Sequence, residues 1–384
     1  MKIVQVVAYY PPHIGGMENC VKEISNRLAR KGHQVEVFTS DIGCKKHRQS
    51  STNNLNIHYL RSWEFAHTAI IPSLFFKLLT ISKDSIIHVH IAQVMIPEIV
   101  FLISKIRKIP YIAHIHADVG PSGKMGFLLP FYKKMFLQKI LNSALKIVVP
   151  SKDYVSLISR KYTISKTKIY EVPNGVELKY FKSKSTKLHS PVRLLSVGRL
   201  CKQKNFPLLI QSFKSLIEKN RWDVELHIVG EGEEKNKIFN LIKKEKLENK
   251  IILHGVLWGK NLYDIYSNSD IFLLASIYES FGLVLIEAMA SGLPIVVSNI
   301  TAVKNIVKNN ITGLLAKPTP KDFTRAVEKL LSNSQLREKL IKNGLKEVKK
   351  YDWNKIVQKF ERIYSELVYE NNKNTNTKKS KGWM

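Results

Sequence analysis

The 384-residue sequence predicts an α/β protein of two doubly wound domains, each built on a parallel sheet. Three observations predict it. Short, apolar, β-branched runs alternate with segments of helical period along most of the chain, and strand–helix alternation builds parallel sheets. The alternation starts afresh after a polar, lysine-rich interval. The length exceeds what one hydrophobic core ordinarily organises, domains of roughly 150–200 residues being the usual size.

The elements follow in order. Residues 3–8 are an apolar run too short for a signal-peptide core and stopped by Tyr10-Pro11-Pro12, hence a buried first strand. A helix over 17–31, a strand over 35–39, a strand over 85–91, a helix over 96–108, a strand over 111–116, a helix over 127–141 and a strand over 146–150 complete the first half. The second half repeats the scheme, with strands over 193–197, 225–229, 251–254, 271–275 and 294–298. Its helices are expected over 206–218, 233–244, 262–267 and 282–290. Residues 177–191 carry Lys179, Lys182, Lys184 and Lys187, three serines and no apolar periodicity, the composition of a solvated linker. The domains are therefore expected over 1–185 and 190–350. A further helix over 353–370 precedes a polar end, 371–384, expected as a flexible tail.

Composition excludes several classes. Apolar content of 44% and charged content of 24% are those of a globular chain rather than a disordered or fibrous one. Cys20, Cys44 and Cys201 are odd in number, far apart and outside any Cys-x-x-Cys pattern. That predicts neither disulfides nor a zinc site and suits the reducing cytoplasm. The most lipid-like segments, 66–82 and 91–104, are broken by Pro72 and Lys77 and by Gln93, Pro97 and Glu98. Neither reaches the ~18 uninterrupted apolar residues of a spanning helix.

The net charge is +30, from 61 basic and 31 acidic residues. It points to an anionic partner, whether a phosphate-bearing substrate, an acidic membrane surface or nucleic acid, although a lysine-rich genomic composition would produce the same sum. Between Lys105 and Lys168 stand 13 basic residues against only Asp118 and Asp153. Within that stretch, residues 124–140 mix Phe127, Phe131, Phe136 and Met135 with lysines. Either an interfacial helix on anionic lipid, at the inner face of the cell membrane, or a core helix with solvated lysines has this pattern. No basic motif interleaved with aromatics appears, so nucleic acid is not expected as a partner.

Ligands of open α/β sheets bind beyond the carboxyl ends of the strands, so two such domains are expected to face each other across a cleft, with chemistry in the post-strand loops. After the first strand, Gly15-Gly16 stand directly before a helix, where backbone can approach a ligand and free amides suit a diphosphate. In the second half, Gly198-Arg199 and Lys204 lie between a strand and a helix, a position suited to neutralising a nucleotide diphosphate with side chains. No Asp-x-Asp pair suggests a metal held against phosphates. The segment 276–294 places Glu279 just before a helix amino terminus, whose amides near Phe281, Gly282 and Leu283 could receive phosphate oxygens. Glu287 sits inside that apolar helix and needs a hydrogen-bonding partner, for which a ribose diol would serve. His88, His90, His114 and His116 recur at spacing two on expected neighbouring strands. Equal parity puts them on one face, which predicts a histidine cluster lining the cleft rather than a metal centre.

At this point the sequence resembles a known family: the retaining glycosyltransferases of family 4, also called glycosyl transferases group 1, of the GT-B fold with two Rossmann-like domains. The resemblance is carried by Pro12-His13-Ile14-Gly15-Gly16-Met17-Glu18, Gly32-His33-Gln34-Val35, Val172-Pro173-Asn174-Gly175-Val176, Gly198-Arg199 with Lys204, Gly230-Glu231-Gly232, and Glu279 and Glu287 with seven residues between them. It implies that Gly16 approaches the donor diphosphate, Arg199 and Lys204 bind it, Glu287 holds the ribose and Glu279 contacts the donor sugar. It further implies that His116 acts at the sugar hydroxyls and that the final helix returns to the first domain. Glu177 departs from the aspartate usual after Asn-Gly-Val. The expected activity is transfer of a hexose or N-acetylhexosamine from a UDP- or GDP-linked donor to a glycan or lipid-linked acceptor, without metal or other cofactor. A nucleotide-sugar epimerase of the same architecture, or a non-enzymatic basic protein binding membrane or nucleic acid, are the alternatives left open.

Overall fold

The computed structural model describes residues 1–380 apart from 14, 45–48, 66–67, 118–128, 182–186 and 220. The chain forms two compact units, Met1–Asn174 with Trp353–Met384, and Gly175–Asp352.

The first unit is built on strands β1 (Lys2–Val6), β2 (Gln34–Ser40), β3 (Gln49–Thr52) and β4 (Leu55–Leu60), a separate hairpin β5 (Trp63–Phe65) and β6 (Thr68–Ile70), then β7 (Ser85–Ile91), β8 (Tyr111–Ile115), β9 (Lys146–Val149) and β10 (Ile169–Glu171). The eight-stranded sheet runs β10-β9-β8-β7-β1-β2-β4-β3, parallel except for β3 against β4. All seven residues of β7 are buried, the continuous burial of a parallel strand covered on both faces. Helices α1 (Gly16–Arg30), α2 (Leu74–Leu79), α3 (Ile96–Arg107), α4 (Leu129–Tyr132), α5 (Gln138–Ser143) and α6 (Lys152–Tyr162) connect the strands. One face of the sheet packs on Leu74, Val100, Ile103, Ile140, Leu141 and Ile158 of this set. The other packs on Val21, Ile24 and Leu28 of α1, whose spacing of three and four makes one apolar stripe.

The second unit carries β11 (Val192–Val197), β12 (Val224–Val229), β13 (Ile251–Leu253), β14 (Ile271–Leu274), β15 (Ile295–Ser298) and β16 (Leu314–Ala316), all parallel, in the order β13-β12-β11-β14-β15-β16. This is the doubly wound order, and the strand sequence reverses between β11 and β14. Helices α7 (Phe206–Ile217), α8 (Lys235–Lys244), α9 (Gly259–Ser267), α10 (Leu283–Ala290), α11 (Thr301–Lys304), α12 (Pro320–Ser332) and α13 (Ser334–Val348) surround the sheet. Phe206, Phe213 and Phe323 fill one face, and Tyr266, Phe281, Ile286 and Met289 the other.

Several expectations are corrected. The chain divides at Asn174–Gly175 and not within 185–190: Val176 and Phe181 are buried in the second unit's core, and the Val176 amide donates to the Tyr351 carbonyl at 2.8 Å. Composition masked this, since few apolar side chains anchor an otherwise polar, lysine-rich stretch. The last helix, α14 (Trp353–Ser380), belongs to the first unit as expected, and there Ile356, Val357, Phe360, Ile363, Tyr364 and Leu367 cover the α1 face of the sheet. Its backbone is helical past Asn371, where a tail was expected to begin. The helix expected over 127–141 is interrupted by a π-helical turn, Lys133–Leu137, between α4 and α5, and residues 127 and 128 lie outside the described residues.

Candidate active site

In the second unit, the strand order reverses between β11 and β14, and the loops that carry Arg199, Lys204 and Glu279 leave these two strands. After β11 the backbone turns at Gly198, with φ of 158°, and reaches Arg199, which is exposed and without an ion pair among the described residues. The Gly230-Glu231-Gly232 loop after β12 braces this turn. A Cβ on Gly230 would lie 2.0 Å from the Gly198 carbonyl oxygen, and one on Gly232 2.3 Å from that of Leu200. The Leu200 amide donates to the Glu231 carbonyl at 2.8 Å, so both glycines are needed for two backbones to touch.

After β14, Ser276 is fully buried and its hydroxyl donates to Glu279 Oε1 at 2.6 Å. Lys204 Nζ donates to the same oxygen at 2.6 Å, with the side chains only 14% and 6% exposed. Removing a charge pair this far from water is unfavourable unless its polar atoms are satisfied, and Ser276 helps to satisfy it. The two loops are also tied by backbone: the Ile277 amide donates to the Gln203 carbonyl at 2.9 Å, and Gln203 Nε2 to the Tyr278 carbonyl at 2.8 Å. Sequence separation of 75 residues between Lys204 and Glu279 hid this pairing.

Phe281 is buried against Tyr351, edge to face at 5.8 Å, and fixes the entry to α10. Gly282 precedes the helix with φ of 93°, a left-handed conformation that turns the chain into Leu283 and aims the first amides out of the helix end. One turn further, Glu287 is partly buried and accepts a hydrogen bond from the Tyr266 hydroxyl of α9 at 2.8 Å. Removal from water pushes its carboxyl up to about 7, and the Tyr266 bond only partly opposes this. Tyr266 itself, fully buried, is raised well above the ordinary phenol range by burial and by that carboxylate. The hydrogen-bonding partner that an acid in an apolar helix requires is thus supplied in part by Tyr266, which sequence reasoning missed.

In the first unit, Gly15 is the extended residue before α1 and Gly16 opens the helix. The space over Gly15 is taken by the chain itself: a Cβ there would lie 2.2 Å from Glu18 Oε2. Glu18, 6% exposed, accepts from His13 Nδ1 at 3.0 Å, and His13 stacks on Tyr9 at 4.3 Å. The amino end of α1 therefore already faces a carboxylate.

The four histidines do gather on one face. His90 is registered with His114 across β7 and β8, and His116 follows the end of β8. Rings stack at 4.3 Å for His88 and His90 and 4.0 Å for His114 and His116. Burial lowers the basicity of all four, to about 3 for His88 and His116, so they are neutral near pH 7. Nitrogens of His88, His90 and His114 lie within 4.8 Å of one another, close enough to suggest a metal. Their ring nitrogens are engaged in hydrogen bonds: His88 Nε2 with His114 Nδ1 at 3.2 Å, His90 Nδ1 with His116 Nε2 at 2.8 Å, and His90 Nε2 with Gln5 Oε1 at 2.7 Å.

Comparison with known proteins agrees with this architecture. Residues 14–180 match the model of Glycosyltransferase Family 4, and residues 179–347 that of Glycosyl transferases group 1. An uncharacterized glycosyltransferase of Methanocaldococcus jannaschii is 26% identical over 95% of this chain and 98% of its own. The UDP-Gal:alpha-D-GlcNAc-diphosphoundecaprenol alpha-1,3-galactosyltransferase of Escherichia coli is 28% identical over 76% of this chain and 78% of its own. Among solved structures, Anabaena HepE in complex with UDP and glucose superposes with a TM-score of 0.76 at 16% identity, covering 95% of this chain and 100% of that one. The sucrose-phosphate synthase of Thermosynechococcus elongatus superposes with a TM-score of 0.76 at 20% identity, covering 96% and 99%. With its two α/β units, each on a largely parallel sheet, and these matches, the chain belongs to glycosyltransferase family 4, the glycosyl transferases group 1, and has the GT-B fold.

Proposed function

We propose that this glycosyltransferase is a retaining, metal-independent hexosyl- or N-acetylhexosaminyltransferase. It uses a UDP- or GDP-linked donor and a glycan or lipid-linked acceptor, and needs no cofactor. The observation that carries the proposal is the Lys204–Glu279 pair set beside exposed Arg199 and the first turn of α10, at the point where the second sheet reverses its strand order. Arg199 and Lys204 offer fixed positive charge to the donor diphosphate, with the amides of Phe281, Gly282 and Leu283. Glu287 accepts from the ribose hydroxyls. Glu279 touches the donor sugar. In the first unit, Gly15 and Gly16 supply backbone to the donor and His116 meets the sugar hydroxyls.

The hydrogen bonding of Glu279 argues for front-face substitution. Its Oε1 is already shared by Lys204 and Ser276, so it is a poor nucleophile. The C1–O bond to the diphosphate breaks while the acceptor oxygen bonds to C1 on the same face, and the departing phosphate oxygen takes the acceptor's proton. Arg199 and Lys204 stabilise the negative charge that develops on the diphosphate. The E. coli relative named above acts on a diphosphoundecaprenol-linked sugar, which favours a lipid-linked acceptor here.

A surface of the first unit supports peripheral attachment to an anionic membrane at its cytoplasmic face. Phe76 on α2, Leu102 and Ile106 on α3, and Phe131, Met135 and Phe136 on α4 and the π-turn are exposed, with α2 packed on α3 and α3 on α5. Lys105, Arg107, Lys134 and Lys139 stand among them. Residues 124–128 of the basic–apolar segment lie outside the described residues. Among the described residues no helix is long and apolar enough to cross a membrane.

Thermal unfolding with UDP, GDP, ADP and their common sugar conjugates tests the donor reading. A ligand at about 100 times its dissociation constant adds roughly 2.7 kcal/mol. Stabilisation by one base, lost in Glu287→Ala, is expected. No stabilisation by any of them would remove the donor assignment.

A further inference from the structure

The histidine array is wired to a single amide. Gln5, fully buried on β1, places Oε1 at 2.7 Å from His90 Nε2 and Nε2 at 3.3 Å from the Tyr364 hydroxyl of α14. In this orientation of the amide the carbonyl oxygen faces His90 and only accepts, so His90 carries its proton on Nε2, leaving Nδ1 as an acceptor. His90 Nδ1 then takes the proton of His116 Nε2 at 2.8 Å, and a neutral His116 is left with a bare Nδ1, which has no partner among the described residues. The second arm is fixed in the same way. The Tyr364 oxygen accepts from Gln5 and so donates to His88 Nδ1 at 2.7 Å, and His88 Nε2–H donates to His114 Nδ1 at 3.2 Å. Rotating the Gln5 amide by half a turn would reverse every donor and acceptor in both arms.

We infer that Gln5 is a positioning residue that selects the tautomer of His116, holding its proton on Nε2 and presenting an unprotonated Nδ1 beyond the carboxyl end of β8. The inference rests on the reading of His116 as a group that meets a sugar hydroxyl: with this tautomer it accepts a hydrogen bond from that hydroxyl and cannot donate one. The neutrality of all four rings near pH 7, which follows from their burial, is the condition under which such a chain has one direction. Tyr364 completes the other arm and is expected to govern His88 without governing His116.

The test is nitrogen-15 NMR of the histidine rings in the full chain, without donor, for the wild type, Gln5→Met and Tyr364→Phe. The wild type should show His116 protonated at Nε2 alone. Gln5→Met should give a mixture of His116 tautomers, whereas Tyr364→Phe, a comparable buried change, should leave His116 as it is and alter His88. His116 protonated at Nδ1 in the wild type, or an unchanged His116 in Gln5→Met, would overturn the inference, and the wild-type spectrum decides even if a variant does not fold. Turnover of Gln5→Met should fall about tenfold, the scale of one hydrogen bond in the transition state, with donor KM little changed. Tautomer scrambling with unchanged turnover would leave the selection by Gln5 standing and would remove His116 from the reaction.

Discussion

Burial disfavours the ionised form of Glu287, and the proposed ribose contact would offset that cost. Burial raises its carboxyl from 4.5 to about 7, a shift worth about 3 kcal/mol of difference between protonation states. The sign follows from the raised value. The folded chain holds the proton more tightly than the unfolded one, so this contribution is fully present below pH ~4.5 and is lost as pH rises through about 7. Glu287→Gln keeps an oxygen to accept from Tyr266 and cannot ionise. It should therefore abolish the pH dependence of stability between pH 5 and 8 that is due to this site, and raise stability at pH 8 by up to about 3 kcal/mol. Two ribose hydroxyls donating to the carboxylate would favour its charged form, so donor binding to the wild type should tighten as pH rises through about 7, with release of a proton. Urea unfolding of the second unit at pH 5.5 and 8, and calorimetric titration with the nucleotide in buffers of differing protonation enthalpy, measure both effects. A Glu287→Gln chain no more stable than wild type at pH 8, with the same pH slope, would refute the argument that this carboxyl is held uncomfortably. Equal nucleotide affinity in the two would refute its contact with ribose.

Other perturbations have equally defined outcomes. Lys204→Ala leaves Glu279 buried with Ser276 alone and removes a positive charge from the proposed diphosphate site, and turnover is expected to fall about 100-fold or more in a steady-state assay. Gly230→Ala drives a Cβ to 2.0 Å from the Gly198 carbonyl and should cost ~2 kcal/mol or more by thermal unfolding, with weaker donor binding as the Arg199 turn moves. The first unit should weaken in acid: its histidines titrate lower in the folded chain than unfolded, so their contribution is complete above pH ~6.5 and declines below it, measurable as a drop in urea midpoint between pH 7.5 and 5. Replacing Phe131, Met135 and Phe136 with serine should reduce co-sedimentation with anionic vesicles at least tenfold while leaving turnover on a soluble acceptor unchanged.

Much of this protein was legible in one dimension. Strand–helix alternation and its restart depend on local apolar periodicity, which a sequence displays directly, and they set two α/β units with parallel sheets. The candidate site residues Arg199, Lys204, Glu279 and Glu287 could be nominated from position and type, because post-strand loops are where such sheets bind ligands. What only the tertiary structure decided are the contacts between residues far apart in the chain. The boundary fell at Asn174 because Val176 and Phe181 are buried, a choice made by packing and not by composition. Tyr266 could not be named as the partner of Glu287, nor Ser276 as the second donor to Glu279, because a lone hydroxyl carries no periodic signal. The histidines were expected as a cluster from strand parity. The direction of their protons, however, is set by Gln5 and Tyr364, which are 359 residues apart and meet only because α14 packs on the face of the sheet that β1 shares with β7 and β8.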